Sequence, residues 1–140
     1  MLIGSDILIA HVKESDWLKP FAEKILRAAE SGKIKLYASN ESLHELYYVS
    51  VKLGVGLESL LSKLASLTQI KNIEWRSSTM EVSLTAMLEY DIGSIFDAYY
   101  AATAFLLDPD KTIISTDPVY DKLPRIKRID PRDLAEKLDT

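Results

Sequence analysis

The chain has 140 residues, 47% hydrophobic and 27% charged, with a formal net charge of −4. That composition fits a soluble globular protein long enough for one core; it excludes intrinsic disorder, and it argues against duplex binding by bulk positive charge. The absence of cysteine excludes disulfides, thiolate zinc sites and cysteine nucleophiles and agrees with a reducing cytoplasm.

Secondary-structure signals alternate along the chain. Met1–Gly4 predicts a short apolar strand, and from Asp6 the run ILIAHV is helical or buried. WLKPFAEKILRAAESG reads as a helix, with Ser15 as its cap, Pro20 near its first turn and Gly32 as its stop. Lys33–Ala38 alternates polar and apolar residues as a strand does. Ser39-Asn40 opens the helix ESLHELYYVSVKL, closed by Gly54, and Leu57–Leu67 forms another. Ile70–Trp75 is a strand candidate. Ser78–Tyr90 predicts a helix with an apolar stripe of Met80, Leu84 and Met87. Ser94-Ile95-Phe96-Asp97 leads into AYYAATAFLL, where Ala98, Ala101, Ala102 and Ala104 permit close approach to a sheet. Lys111–Ser115 is a buried strand, Thr116-Asp117-Pro118 a turn and Arg125–Ile129 a last strand. Asp130-Pro131 starts a terminal helix. This order predicts an α/β fold, one domain over residues 1–140, with a mainly parallel sheet of four or five strands flanked by helices. No stretch approaches the ~20 apolar residues of a membrane span, and the N-terminus does not read as a signal peptide.

Functional clefts in such folds lie beyond the carboxyl ends of the strands. Asp6 follows the first strand, Asp117 follows the strand at 111–115, and Asp97 opens the alanine-rich helix. Glu45 lies in the helix after the second strand. If they meet, these carboxylates repel one another and favour hard divalent cations, Mg²⁺ or Mn²⁺. Each also has a plainer reading. Asp6 and Asp117 suit helix caps, Asp97 completes a capping-box pattern with Ser94, and Glu45 falls opposite the stripe of Leu43, Leu46, Tyr47 and Ser50, as a solvated acid would. His11 and His44 lack the spacing of a zinc site and read as surface or supporting residues. Lys122, Arg125, Lys127, Arg128 and Arg132 form the one basic concentration, either an RNA-phosphate surface or a charged sheet edge. Tyr47, Tyr48, Tyr99 and Tyr100 are candidates for base stacking or packing.

The segments GSIFDAYYAATAFLLD, TIISTDPVYDKL, ASNESLHELYYVSVKLG and LIGSDILIAHVK, in their order along the chain, resemble the motifs of the PIN-domain family, in particular its VapC-like toxin branch. The resemblance implies a three-layer PIN-like domain and a metal-dependent endoribonuclease acting as the toxin of a toxin–antitoxin pair. It further implies that Asp6, Glu45, Asp97 and Asp117 are catalytic metal ligands for Mg²⁺ or Mn²⁺. RNA, an antitoxin protein and a second copy of the chain are the implied partners, in the cytoplasm and away from membranes. One position departs from the pattern. Gly4 stands where the family has its first aspartate, so either Asp6 substitutes from two residues on, or the chain is a weakened or inactive RNA- or protein-binding module. Asp121, in the turn after Asp117, is a further candidate for a peripheral ligand, though it reads better as a surface acid.

Overall fold

The computed structural model describes residues 1–90 and 92–139. Five parallel strands form one sheet in the order β3-β2-β1-β4-β5. They are β1 (Leu2–Ile3), β2 (Leu36–Ser39), β3 (Ile73–Arg76), β4 (Thr112–Ile114) and β5 (Lys127–Ile129). The helices are α1 (Ser5–Val12), α2 (Lys19–Glu30), α3 (Glu41–Lys52), α4 (Leu57–Thr68), α5 (Met80–Glu89), α6 (Ile95–Leu107) and α7 (Pro131–Lys137). Among the described residues no helix is long and apolar enough to cross a membrane.

Side chains of successive strand residues point to opposite sheet faces, and two separate cores follow from this. On one face Ile3, Leu36, Ala38 and Ile114 pack with α1, α2 and Leu46 of α3. On the other face Leu2 and Ile113 pack with α5, α6, Tyr120 and Ile126. The four alanines of α6 are all buried, as their size predicts. The apolar stripe expected of α5 faces outward instead: Met80, Leu84 and Met87 are exposed, while Val82 and Ala86 are buried. The packing face of α5 consists of small side chains because it lies close against α6.

The long helix expected after Ser15 begins later. α2 starts at Lys19 with Pro20 in its first turn, and Ser15 does not cap it; Asp16 Oδ1 instead accepts the Leu18 N–H at 2.9 Å in the preceding turn. Gly32, with φ +81°, follows its C-terminus. The C-terminal carbonyls of α1 receive two ammonium groups. Lys63 Nζ donates to Val12 O at 2.7 Å, and Lys19 Nζ to His11 O at 2.7 Å and Lys13 O at 2.6 Å. Cations at a helix C-terminus are stabilising. Lys63→Met should therefore lower unfolding free energy by about 1 kcal/mol, read as a fall in the urea midpoint at unchanged m-value.

The strand order places the topological switch between β1 and β4, since the chain leaves β1 toward β2 on one side and reaches β4 on the other. A crevice at the carboxyl ends of these two strands is the favoured ligand position in an open parallel sheet.

Candidate functional site

Residues from four segments converge there. A cavity of about 480 Å³ is lined by Ser5, Asp6, Glu45, Ser94, Asp97, Ser115, Thr116, Asp117 and Tyr120, among others. Asp6 arrives from the turn after β1, Glu45 from the second turn of α3, Asp97 from the first turn of α6, and Asp117 from the turn after β4. All four acids singled out from the sequence thus border one cavity.

Each carboxylate is held by neutral donors. Asp6 Oδ2 accepts from the Thr116 N–H at 2.8 Å, the Thr116 hydroxyl at 2.7 Å and the Ser115 hydroxyl at 3.3 Å. Glu45 Oε1 accepts from the Tyr100 hydroxyl at 2.6 Å, and Asp97 Oδ1 from the Tyr120 hydroxyl at 3.2 Å. Asp117 Oδ1 accepts the Val119 N–H at 3.0 Å and caps the 3-10 turn Pro118–Lys122. Asp97 also closes the capping box with Ser94: its N–H donates to Ser94 Oγ at 3.2 Å, and its Oδ2 accepts the Ser94 N–H at 3.4 Å. The capping readings of Asp97 and Asp117 are therefore real, and neither removes the residue from the cavity. Glu45 is half-buried rather than solvated, because the Tyr100 phenol lies within reach.

Gly4 explains the displaced carboxylate. Its φ of −73° and ψ of 156° are open to any residue, so space, not backbone strain, is the constraint. A Cβ at residue 4 would stand 2.5 Å from Ile114 O, 2.7 Å from Asp6 Oδ1 and 3.2 Å from Ser115 Cβ. The Asp6 carboxylate thus lies against the space a residue-4 side chain would need. Glycine at 4 and aspartate at 6 fit as a pair.

The donor set is all oxygen, from carboxylates and hydroxyls, which suits a hard divalent cation. Among the described residues, no hydrogen bond reaches Asp6 Oδ1, Glu45 Oε2 or Asp117 Oδ2. Also among the described residues, no three acidic or histidine side chains are gathered tightly enough to grip a bare ion. The cavity matches the habit of Mg²⁺, which keeps several waters and binds through one or two carboxylates plus phosphate oxygens. It does not form a closed protein cage.

Sequence reasoning missed Tyr120 and Thr116 and treated Tyr100 as a stacking candidate. Tyr100 is fully buried and Tyr120 nearly so, hence neither phenol presents a face for stacking. Burial, reinforced by Glu45, pushes the Tyr100 hydroxyl far above its ordinary range, against the Ser42 and Ser5 hydroxyls, which pull it down. Burial, then Asp97, Tyr100 and Asp6, does the same for Tyr120. Both remain protonated donors at any physiological pH. The available signal was spacing: Tyr100 stands three residues after Asp97, and Tyr120 three after Asp117.

The other candidates lie apart. His11 Nδ1 pairs with Glu23 at 2.7 Å, and the exposed His44 with Glu41 at 3.0 Å. Arg128 holds Asp121 through two 2.9 Å bonds and donates to Ser115 O at 3.1 Å, bracing the cavity wall. Arg132 pairs with Asp130 at 2.7 Å, and Arg125 pairs with Glu89. The basic segment is thus largely ion-paired. Tyr99 donates to Ser83 at 3.2 Å, while Tyr47 and Tyr48 are exposed.

No family model matches the sequence, and no curated protein matches it significantly. Solved structures do. The chain is similar to a chain of VapBC2 from Rickettsia felis, solved bound to a DNA fragment from its promoter, with a TM-score of 0.69 and 14% identity over 92% of this chain and 96% of that one. It is also similar to VapC20 of Mycobacterium tuberculosis, described as a toxin that cleaves the sarcin–ricin loop, with a TM-score of 0.65 and 14% identity over 89% of this chain and 97% of that one. The fold is therefore a VapC-like PIN-domain fold.

Proposed function

We propose that this chain is a divalent-metal-dependent ribonuclease, the toxin of a toxin–antitoxin pair, working as one domain over residues 1–140. The observation that carries the reading is the convergence of Asp6, Glu45, Asp97 and Asp117 on one cavity at the sheet's switch point. The fold shared with a toxin that cleaves the sarcin–ricin loop supports RNA as the substrate class.

Asp6, Glu45 and Asp117 would hold Mg²⁺ or Mn²⁺ through the oxygens that carry no hydrogen bond, and Asp97 through a remaining lone pair of an oxygen that already accepts one. Such a cation, when bound, supplies the Lewis acidity that activates water and offsets the charge a phosphodiester gains on attack. The residues of the chain do the rest. Thr116 and Ser115 fix Asp6 in place of a side chain at residue 4. At the cavity wall the Ser94 hydroxyl accepts from the Asp97 N–H and donates to no group among the described residues, so its O–H can orient a phosphate without adding net charge. Phosphate oxygens of the RNA would serve as further hard ligands for such a cation.

Purified protein should cleave single-stranded RNA with Mn²⁺ and lose that activity with EDTA, followed on a labelled oligonucleotide by gel. Cleavage that continues undiminished in EDTA would overturn metal dependence. The open spacing of the carboxylates favours one second reading, a PIN-like module that binds RNA or protein without cutting. RNA binding with no cleavage under any divalent metal would select it.

An antitoxin and a second copy of the chain belong to the same proposal, with action in the cytoplasm. Exposed Val51, Leu53, Leu57 and Leu61 on α3, α4 and their connection are available to such contacts. Sedimentation of the purified chain at several concentrations tests the homodimer.

A further inference from the structure

We propose that Tyr100 and Tyr120 are positioning residues of the acid cavity, two buried phenols that aim the Glu45 and Asp97 carboxylates at a shared divalent cation. The inference rests on the metal site proposed above. Each phenol rises from the helix or turn that begins with one cavity aspartate and reaches an acid of a different segment. Tyr100, one turn beyond Asp97 on α6, donates to Glu45 on α3 at 2.6 Å; Tyr120, one turn beyond Asp117, donates to Asp97 on α6 at 3.2 Å. Asp-x-x-Tyr thus occurs twice, and the two copies tie three of the four acid-bearing segments together.

The chemistry suits a cation site. A lysine or arginine in either place would hold the carboxylate equally well, but it would cancel the negative charge that attracts the ion. A phenol gives one hydrogen bond and no net charge. Both rings are buried in the α5–α6 core, with Tyr100 fully enclosed and Tyr120 2% exposed, so the hydroxyls cannot swing away. Glu45 depends on its phenol most. Helical periodicity alone sends it toward solvent, and Tyr100 O–H is its one hydrogen-bond donor among the described residues. Groups that orient metal ligands in this way typically change affinity or activity by about 10–100-fold when removed.

The test is Mn²⁺ binding to the purified, RNA-free protein, by electron paramagnetic resonance titration, for wild type, Tyr100→Phe and Tyr120→Phe. Phenylalanine keeps the ring and its packing. A control, Tyr90→Phe, removes another buried phenol that lies outside the cavity and donates to Pro124 O at 3.3 Å. The expected result is an Mn²⁺ dissociation constant raised about 10-fold in each of the first two variants and unchanged in the control. RNA cleavage by Tyr100→Phe and Tyr120→Phe should then recover as Mn²⁺ is raised, which a loss of folded protein would not do. Either variant alone carries the test if the other fails to fold. Unchanged Mn²⁺ affinity in a folded variant, beside a wild type that binds Mn²⁺, overturns the role of that phenol while leaving the metal site standing. A wild type that binds no Mn²⁺ overturns both.

Discussion

Asp97→Asn should lower metal-dependent RNA cleavage at least about 100-fold while leaving the chain folded. The substitution isolates charge from architecture. Asparagine keeps one side-chain oxygen, which can go on accepting the Ser94 N–H, and turns its amide N–H toward the Tyr120 hydroxyl oxygen, which can accept it; the backbone N–H that donates to Ser94 Oγ is untouched. What disappears is one negative charge in the first turn of α6. That loses a favourable interaction with the helix N-terminus, about 0.3–1 kcal/mol, and relieves repulsion from Asp6, Glu45 and Asp117. The two effects oppose each other, so the metal-free melting temperature should move little. The difference should emerge with Mn²⁺, which should raise the melting temperature of the wild type and fail to raise that of the variant, because a ligand stabilises only the state that binds it. Wild-type cleavage rates in folded Asp97→Asn would remove Asp97 from the chemistry.

Gly4→Ala is expected to destabilise the folded chain by about 2 kcal/mol and to impair cleavage with it. One methyl group is enough because its position is already occupied. It would lie 2.5 Å from a backbone oxygen of β4 and 2.7 Å from the Asp6 carboxylate. The Ile114 carbonyl cannot retreat readily, since it accepts the Gly4 N–H at 2.9 Å in the middle of the sheet. Asp6 is the part able to move, and moving it breaks up to three hydrogen bonds to Ser115 and Thr116. Urea unfolding reads the stability, and the Mn²⁺ dependence of cleavage reads the displaced carboxylate. An alanine variant as stable and active as wild type would show that the crowding around residue 4 relaxes at no cost.

Local chemistry was enough to establish much of the architecture. The alternation of short apolar runs with helical segments predicts an α/β fold with a mainly parallel sheet, and all five strands are parallel. The alanines of α6, the Ser94–Asp97 capping box, the Asp130-Pro131 helix start and the stop at Gly54 all act within a few residues of themselves, so the chain order suffices to read them. Side-chain neighbours far apart in sequence are another matter. The outward Met80, Leu84 and Met87 of α5 show that periodicity marks a stripe without saying which face a neighbour covers. Glu45 looked solvated on its own helix and is turned inward by a tyrosine 55 positions later. Asp6 stands against the missing side chain of Gly4 only because β4 delivers Ser115 and Thr116 beside it, 109 and 110 residues along the chain. A helix wheel or a strand pattern records one element's own geometry, whereas a cavity is made by elements the sheet brings together. Hence the candidate acids were legible as residues, and their shared cavity and hydroxyl partners were decided by tertiary packing.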